Sequence, residues 1–275
     1  MKRPEHARPF AKRSLGQNFL TDPNVIRKII EAVRPSSSDA IIEIGPGRGA
    51  LTERLVESGA SVAAIELDRV LAKDLSERFA DKANVRVIEE NILTADFADS
   101  AFWPPAHAAG SEMKLVANLP YYISTAILQR LSEQRYLFSE LVLMFQREVV
   151  ERITAQPGNS ERGYLTVIVE AGFHIEKLFD VPPTAFQPVP KVWSSVARFI
   201  PKPHASFDES AFRITVSTAF GQKRKTILNN LKGSFTEAEQ SLKAAGIDAK
   251  RRAESLTLDE WVMLTERISG TKPQN

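Results

Sequence analysis

The chain has 275 residues, 43% of them hydrophobic and 25% charged, with a formal net charge of +2, which suits one large globular domain plus a small one. It contains no cysteine, which excludes disulfides, cysteine-ligated zinc and thiol nucleophiles. No apolar run approaches the ~20 residues of a membrane helix, and no apolar segment follows the opening Met-Lys-Arg, so a cytoplasmic protein with no membrane contact is expected.

Residues 1–34 hold eight Lys/Arg and three acids, whereas residues 35–145 hold ten basic and sixteen acidic side chains. Basic ends around an acidic middle suit a polyanion held at the rim of a separate site, although short segments also drift this far without a function. Residues 1–13 read as a flexible basic arm. In TDPNVIRKIIEAV, apolar residues at 25, 26, 29, 30 and 33 predict a helix, with Asp22 and Pro23 at its start. Strands are predicted at 40–45, 61–68, 85–91, 114–118 and 140–146, with helices at 50–59, 70–80 and 126–135 between them. This alternation implies parallel βαβ units in a doubly wound α/β sheet, which binds ligands beyond the carboxyl ends of its strands. Residues 164–181 and 192–200 are expected to form an antiparallel strand pair at one edge. Segments 97–113 and 154–162 read as loops. From 209 onward the pattern is helical. The expected domains are therefore 1–200 and a small all-helical 201–275.

EIGPGRG (43–49) follows the first strand of the sheet and opens a helix. Its glycines allow a sharp turn and close approach of a ligand. The spacing is Gly-x-Gly-x-Gly, not the Gly-x-Gly-x-x-Gly of dinucleotide binders, and there is no Walker lysine. Glu66 ends the next strand, where an acid can hold two ribose hydroxyls. A nucleoside cofactor without a pyrophosphate fits, with S-adenosylmethionine the candidate and Glu43 compatible with its cationic end. The bland alternative is a structural glycine turn beside a surface Glu66.

VANLPYYIST (116–125) starts as a buried strand and stops at proline. An exocyclic base nitrogen is a poor nucleophile, because its lone pair is delocalised into the ring. Two acceptors on its hydrogens can draw it toward sp³ geometry. The Asn118 side-chain oxygen and the Leu119 carbonyl can be those acceptors, with Pro120 holding Leu119 extended. Tyr121 offers a stacking face. The four histidines, at 6, 107, 174 and 204, lie in no motif, and no metal site is expected. The alternative is a strand-terminal turn with two core tyrosines.

RSLGQNFL (13–20), EIGPGRGALT (43–52), NLPYYIST (118–125), FQPVPKVWS (186–194) and RKTILNNL (224–231) together resemble the ribosomal RNA adenine N6,N6-dimethyltransferase family, over nearly the whole chain. The resemblance implies a Rossmann-like seven-stranded class I methyltransferase sheet with a small C-terminal all-helical domain. It implies S-adenosylmethionine as donor, and as substrate two adjacent adenines near the 3′ end of small-subunit rRNA, in an assembling 30S particle. A monomer is expected. By the same resemblance Asn18 and Leu20 border the cofactor, Gly45 contacts its methionine part, Gly47 is also cofactor-binding, Glu66 holds the ribose and residue 91 contacts the adenine. Asn118 bridges cofactor and target, and Phe186 stacks on the target adenine opposite Tyr121. One position departs: the family favours aspartate where Asn91 stands, although an amide oxygen also accepts hydrogen bonds. Arg13, Lys191, Arg224 and Lys225 are candidates for RNA phosphates. In RKTILNNL, Ile227, Leu228 and Leu231 are expected to be buried.

Three other readings compete. A large-subunit rRNA adenine methyltransferase of the macrolide-resistance type shares the Asn-Leu-Pro-Tyr site, but RKTILNNL leans away from it. An RNA-binding assembly factor would not need an intact 118–121 run. A Rossmann dehydrogenase conflicts with the glycine spacing.

Overall fold

The computed structural model describes residues 17–107, 112–203 and 206–269. The basic arm of residues 1–13, with Arg13, and His6 and His204 lie outside them. The elements in chain order are β1 (Phe19–Leu20), α1 (Pro23–Val33), β2 (Ala40–Ile44), α2 (Ala50–Glu57), β3 (Ser61–Glu66), α3 (Arg69–Arg78) and β4 (Val85–Glu89). Next come β5 (Met113–Asn118), α4 (Ser124–Glu133), β6 (Phe138–Gln146), α5 (Arg147–Ile153), α6 (Tyr164–Gly172) and β7 (Phe173–Val181). The chain continues through β8 (Phe186–Gln187), β9 (Ser194–Pro201), α7 (Glu209–Ala219), α8 (Ile227–Leu231), α9 (Ala238–Ala244) and α10 (Leu258–Ser269). No helix among the described residues is long and apolar enough to cross a membrane.

The main sheet has seven strands in the order β4-β3-β2-β5-β6-β9-β7. Strands β2 to β6 pair in parallel, and β9 joins β6 antiparallel. The inner parallel strands are largely buried on both faces, as in β3, where every residue is buried, whereas the edge strand β4 exposes Arg86 and Glu89. From β2 the chain steps to β3 on one side and later to β5 on the other. The switch point therefore opens beyond Ile44 and Asn118. Helix α1 starts as predicted: Asp22 accepts from the Asn24 amide at 2.8 Å, and Pro23 occupies the first turn. It buries Val25, Ile29 and Val33.

Residues 164–181 depart from the expected strand: they form helix α6 followed by β7. Thr166 to Val169 are all buried, so the sequence shows a continuous β-branched run with no helical period to read. A local cap decides the outcome, with the Gly163 amide donating to Thr166 Oγ1 at 3.1 Å.

Two compact units result. One comprises residues up to Arg147 with Ile175–Pro201, the other Glu148–His174 with the residues from Lys202 onward. The expected division at residue 200 thus misplaces 148–174, because Val167 and Ile168 of α6 belong to the apolar core built by Phe212, Leu231, Leu242 and Trp261. The second unit also buries Arg162, which donates to the Ala155 carbonyl at 2.9 Å and pairs with Glu170.

Candidate active site

The glycine turn leaves β2 at the switch point. Gly45 and Gly47 have φ of 65° and 57°, a region that side chains disfavour. A Cβ on Gly47 would lie 3.0 Å from the Phe19 ring, so this position is closed to larger residues. Glu66, at the end of β3, grips the turn: Oε2 accepts from the Gly47 amide at 3.0 Å and Oε1 from the Asp68 amide at 2.9 Å. Burial pushes its carboxyl above the usual range, against the lowering effect of these amide bonds. With the Leu67 amide also bonding to it, the carboxylate still has acceptor capacity left of its roughly four lone-pair sites, so Glu66 supports the turn and can also receive a hydroxyl donor. Asp68 caps α3 through the Val70 amide at 3.0 Å and accepts from Gln17 Nε2 at 3.1 Å.

At the end of β5, Leu119 donates its amide to the Met144 carbonyl at 3.3 Å and buries its side chain. Among the described residues its carbonyl accepts no hydrogen bond, whereas that of Pro120 accepts from the Ile123 amide and that of Tyr121 from Ser124 Oγ. The Asn118 amide nitrogen donates to the Asn18 carbonyl at 3.2 Å. That carbonyl can only accept, which fixes the orientation of the side chain and leaves Oδ1 as an acceptor. The Tyr121 hydroxyl shares a 2.6 Å hydrogen bond with Ser194 Oγ, at the start of β9. Burial raises the pKa of this phenol, so the hydroxyl stays protonated at neutral pH and is no general base.

One cavity is lined by Asn18, Leu20, Gly45, Gly47, Glu66, Asn91, Asn118, Leu119, Pro120 and Tyr121, ten residues singled out from sequence. Phe186 is not among them. It sits opposite Leu20 where β1 pairs antiparallel with β8, and it is buried in the apolar core. Its expected stacking face opposite Tyr121 is therefore not presented in this structure. Its pairing ties Phe19–Leu20 to Phe186–Gln187.

Asn91 follows β4. Its Oδ1 accepts from the Leu93 amide at 3.0 Å. With that oxygen already oriented, the amide offers its NH₂ as the other polar end, where an aspartate would offer a second acceptor. Glu43 also lines the cavity. It is almost fully buried, with Oε2 lacking a hydrogen-bond partner. Burial, with Glu66 nearby, pushes its carboxyl up to about 7. Thr52 hydrogen-bonds to this carboxyl and acts against the shift, but the unbonded Oε2 of a buried acid lining the cavity suits a cationic ligand group there. The close-packed glycine turn, the Glu66 carboxylate and the unbonded Glu43 oxygen fit a cationic nucleoside ligand such as S-adenosylmethionine.

Lys191 is exposed in the 188–193 loop, and Arg224 and Lys225 are exposed just before α8. Ile227 and Leu231 are buried beneath them, and Leu228 is partly so. Neither His107 nor His174 lines the cavity, and no group of metal-binding side chains occurs among the described residues. Sequence reasoning missed Gln17, Asp68 and Ser194. Asp68 carried a signal, as the acid two residues past Glu66 that starts a helix. Gln17 and Ser194 carried none, because their partners are distant in sequence.

A model of the family described as ribosomal RNA adenine dimethylase matches residues 10–269. The chain is 40% identical to ribosomal RNA small subunit methyltransferase A of Aromatoleum aromaticum over 267 residues, covering 96% of each chain. It is 41% identical to the protein of that name from Lactiplantibacillus plantarum, covering 94% of this chain and 90% of the other. Among solved structures, a dimethyladenosine transferase from Plasmodium falciparum superposes with a TM-score of 0.75 at 26% identity, covering 90% of this chain and 95% of that one. The 23S rRNA methyltransferase ErmE gives 0.68, also at 26% identity, covering 92% of this chain and all of that one. The match of the family model from residue 10 to residue 269, on a seven-stranded sheet with both motifs at its switch point, settles the family: the chain belongs to the ribosomal RNA adenine dimethylases.

Proposed function

We propose that this chain transfers methyl groups from S-adenosylmethionine to N6 of two adjacent adenines near the 3′ end of small-subunit rRNA, leaving both dimethylated. It would act as a cytoplasmic monomer on an assembling 30S particle. The observation that carries the reading is the Asn118 side chain: anchored by its NH₂ to the Asn18 carbonyl, it keeps an oriented acceptor at the cavity wall, next to the unbonded Leu119 carbonyl.

When bound, S-adenosylmethionine supplies an electrophilic methyl group on a sulfonium. The residues to hold it are Glu66 for the ribose hydroxyls, the 45–47 turn with Glu43 for the amino-acid end, and Asn91 for the base. Asn118 Oδ1 and the Leu119 carbonyl accept the two hydrogens of the target amino group and turn its lone pair out of the ring plane. The Tyr121 ring supports the base. Positioning is then most of the catalysis. The methylated nitrogen is cationic and gives its proton to solvent, so no histidine or metal is needed. Exposed Arg224, Lys225 and Lys191 contribute phosphate contacts.

The large-subunit reading draws on the likeness to ErmE. The relatives at about 40% identity carry the small-subunit name and favour the first reading. Mass spectrometry of both rRNAs from cells with and without the gene separates the two. Loss of N6,N6-dimethyladenosine from small-subunit rRNA is expected, and its loss from large-subunit rRNA alone would overturn the proposal.

A further inference from the structure

The cavity and the chain next to it carry exposed aromatic surface that the reaction as described does not use. Tyr122 lines the cavity and is 58% exposed. Trp193 is 45% exposed, although a large indole normally finds cover. Trp193 directly precedes Ser194, whose hydroxyl is bonded to the cavity-lining Tyr121, so its backbone lies within about one side-chain length of the cavity wall. The Trp193 carbonyl accepts from the Arg147 amide at 2.9 Å, which fixes the backbone that carries the indole. Lys191, two residues before, and Arg147 are both exposed. Aromatic faces interleaved with cations are the means by which proteins hold single-stranded nucleic acid, because every base has a face to stack and every nucleotide a phosphate to neutralise.

We infer that Trp193, with Tyr122, is a stacking platform for the nucleotides that flank the target adenine, flanked by Lys191 and Arg147 for their phosphates. The inference rests on the methyltransferase reading above for which strand is bound. An adenine drawn into the cavity must leave its stack, which exposes the faces of its neighbours. A platform at the rim covers those faces and recovers part of the unstacking energy. When the target has a second adenine beside it, the same platform holds that neighbour while the first is in the cavity.

Of the three tryptophans, Trp261 is fully buried and Trp103 half-buried, so Trp193 is the one with a broadly accessible face. Titration of the full-length protein with the single-stranded probe hexa-adenylate is expected to quench tryptophan emission, and Trp193→Phe to abolish most of that quench. In methyl transfer to small-subunit particles assembled with unmethylated rRNA, Trp193→Ala should raise KM for the particle roughly 5- to 100-fold, the range for loss of one stacked base. It should leave kcat within a few-fold and cofactor affinity unchanged, with Trp193→Phe restoring most of the loss. An undiminished quench in Trp193→Phe, or an unchanged KM in Trp193→Ala, would overturn the platform. If the parent protein methylated no particle, the methyltransferase reading would fail instead, and the fluorescence arm would still judge the platform.

Discussion

The side-chain amide of Asn118 donates to the backbone carbonyl of Asn18 at 3.2 Å, across 100 residues of sequence. This one bond turns the amide so that its oxygen is left for a ligand. Asn118→Ala removes an oriented acceptor from the place where charge develops on the amino nitrogen, and methyl transfer is expected to slow about 10²–10³-fold. Asn118→Asp keeps an acceptor toward the target but sets a carboxylate oxygen against the Asn18 carbonyl, so its rate should fall between the parent and alanine. Single-turnover transfer at saturating cofactor reads this order, and an alanine variant as fast as the parent would remove Asn118 from the chemistry.

Tyr121→Phe breaks the bond to Ser194 Oγ, a hydroxyl on a fully buried residue. The expected cost is about 1 kcal/mol of stability, with turnover near that of the parent, because the ring supports the base and the hydroxyl transfers no proton. Tyr121→Ala should be severely impaired in turnover. Denaturant unfolding alongside transfer kinetics separates the two effects. Equal inactivity of Tyr121→Phe and Tyr121→Ala would make the hydroxyl catalytic.

Glu66→Gln should weaken cofactor binding about tenfold or more, since hydrogen bonds to a charged acceptor contribute roughly 1.5–3 kcal/mol. Loss of the charge also slackens the grip on the Gly47 amide, so faster amide exchange in the 45–49 turn should accompany it. Calorimetric titration with S-adenosylmethionine tests the first part, and an unchanged affinity in the folded variant would place the ribose elsewhere.

Asn91→Asp is expected to tighten cofactor binding several-fold. The Leu93 amide holds one oxygen in either residue, and aspartate replaces the NH₂ end by an acceptor suited to an adenine amino group. Weaker binding by the aspartate variant would show that the NH₂ end is the one in use.

Cofactor binding should be linked to a proton at Glu43. Its carboxyl, pushed up to about 7 by burial, is largely protonated at pH 6 and must ionise beside an incoming ammonium group. Affinity should therefore rise with pH up to about 7 and then flatten, with a proton released on binding at pH 6. For folding the sign is opposite: the carboxyl's stabilising contribution is full below its unfolded value of 4.5 and is lost as pH rises through about 7. Titration calorimetry in two buffers of different ionisation heat measures the proton. No release from the parent, or the same release from Glu43→Gln, contradicts this role.

Much of the sheet was legible because inner strands such as β2 and β5 are largely buried on both faces and read as apolar runs closed by Gly45 or Asn118. The glycine turn and the 118–121 run were legible for the same reason: each breaks such a run with residues whose backbone is constrained. Helix α6 was not, since four consecutive buried residues, Thr166 to Val169, hide the helical period. The placing of Phe186 was not legible, because a motif shows that a residue matters without showing where it packs; here it pairs with Leu20 and lies in the core. The tether from Asn118 to Asn18 and the bond from Tyr121 to Ser194 join segments that no local pattern relates.

The most direct measurement uses purified protein, labelled S-adenosylmethionine and small-subunit particles lacking dimethyladenosine, with nuclease digestion and mass spectrometry of the rRNA. The expected product is N6,N6-dimethyladenosine at two neighbouring positions near the 3′ end of the small-subunit RNA, with almost none from Asn118→Ala in the same time. Label confined to large-subunit RNA, or full dimethylation by Asn118→Ala, would contradict it.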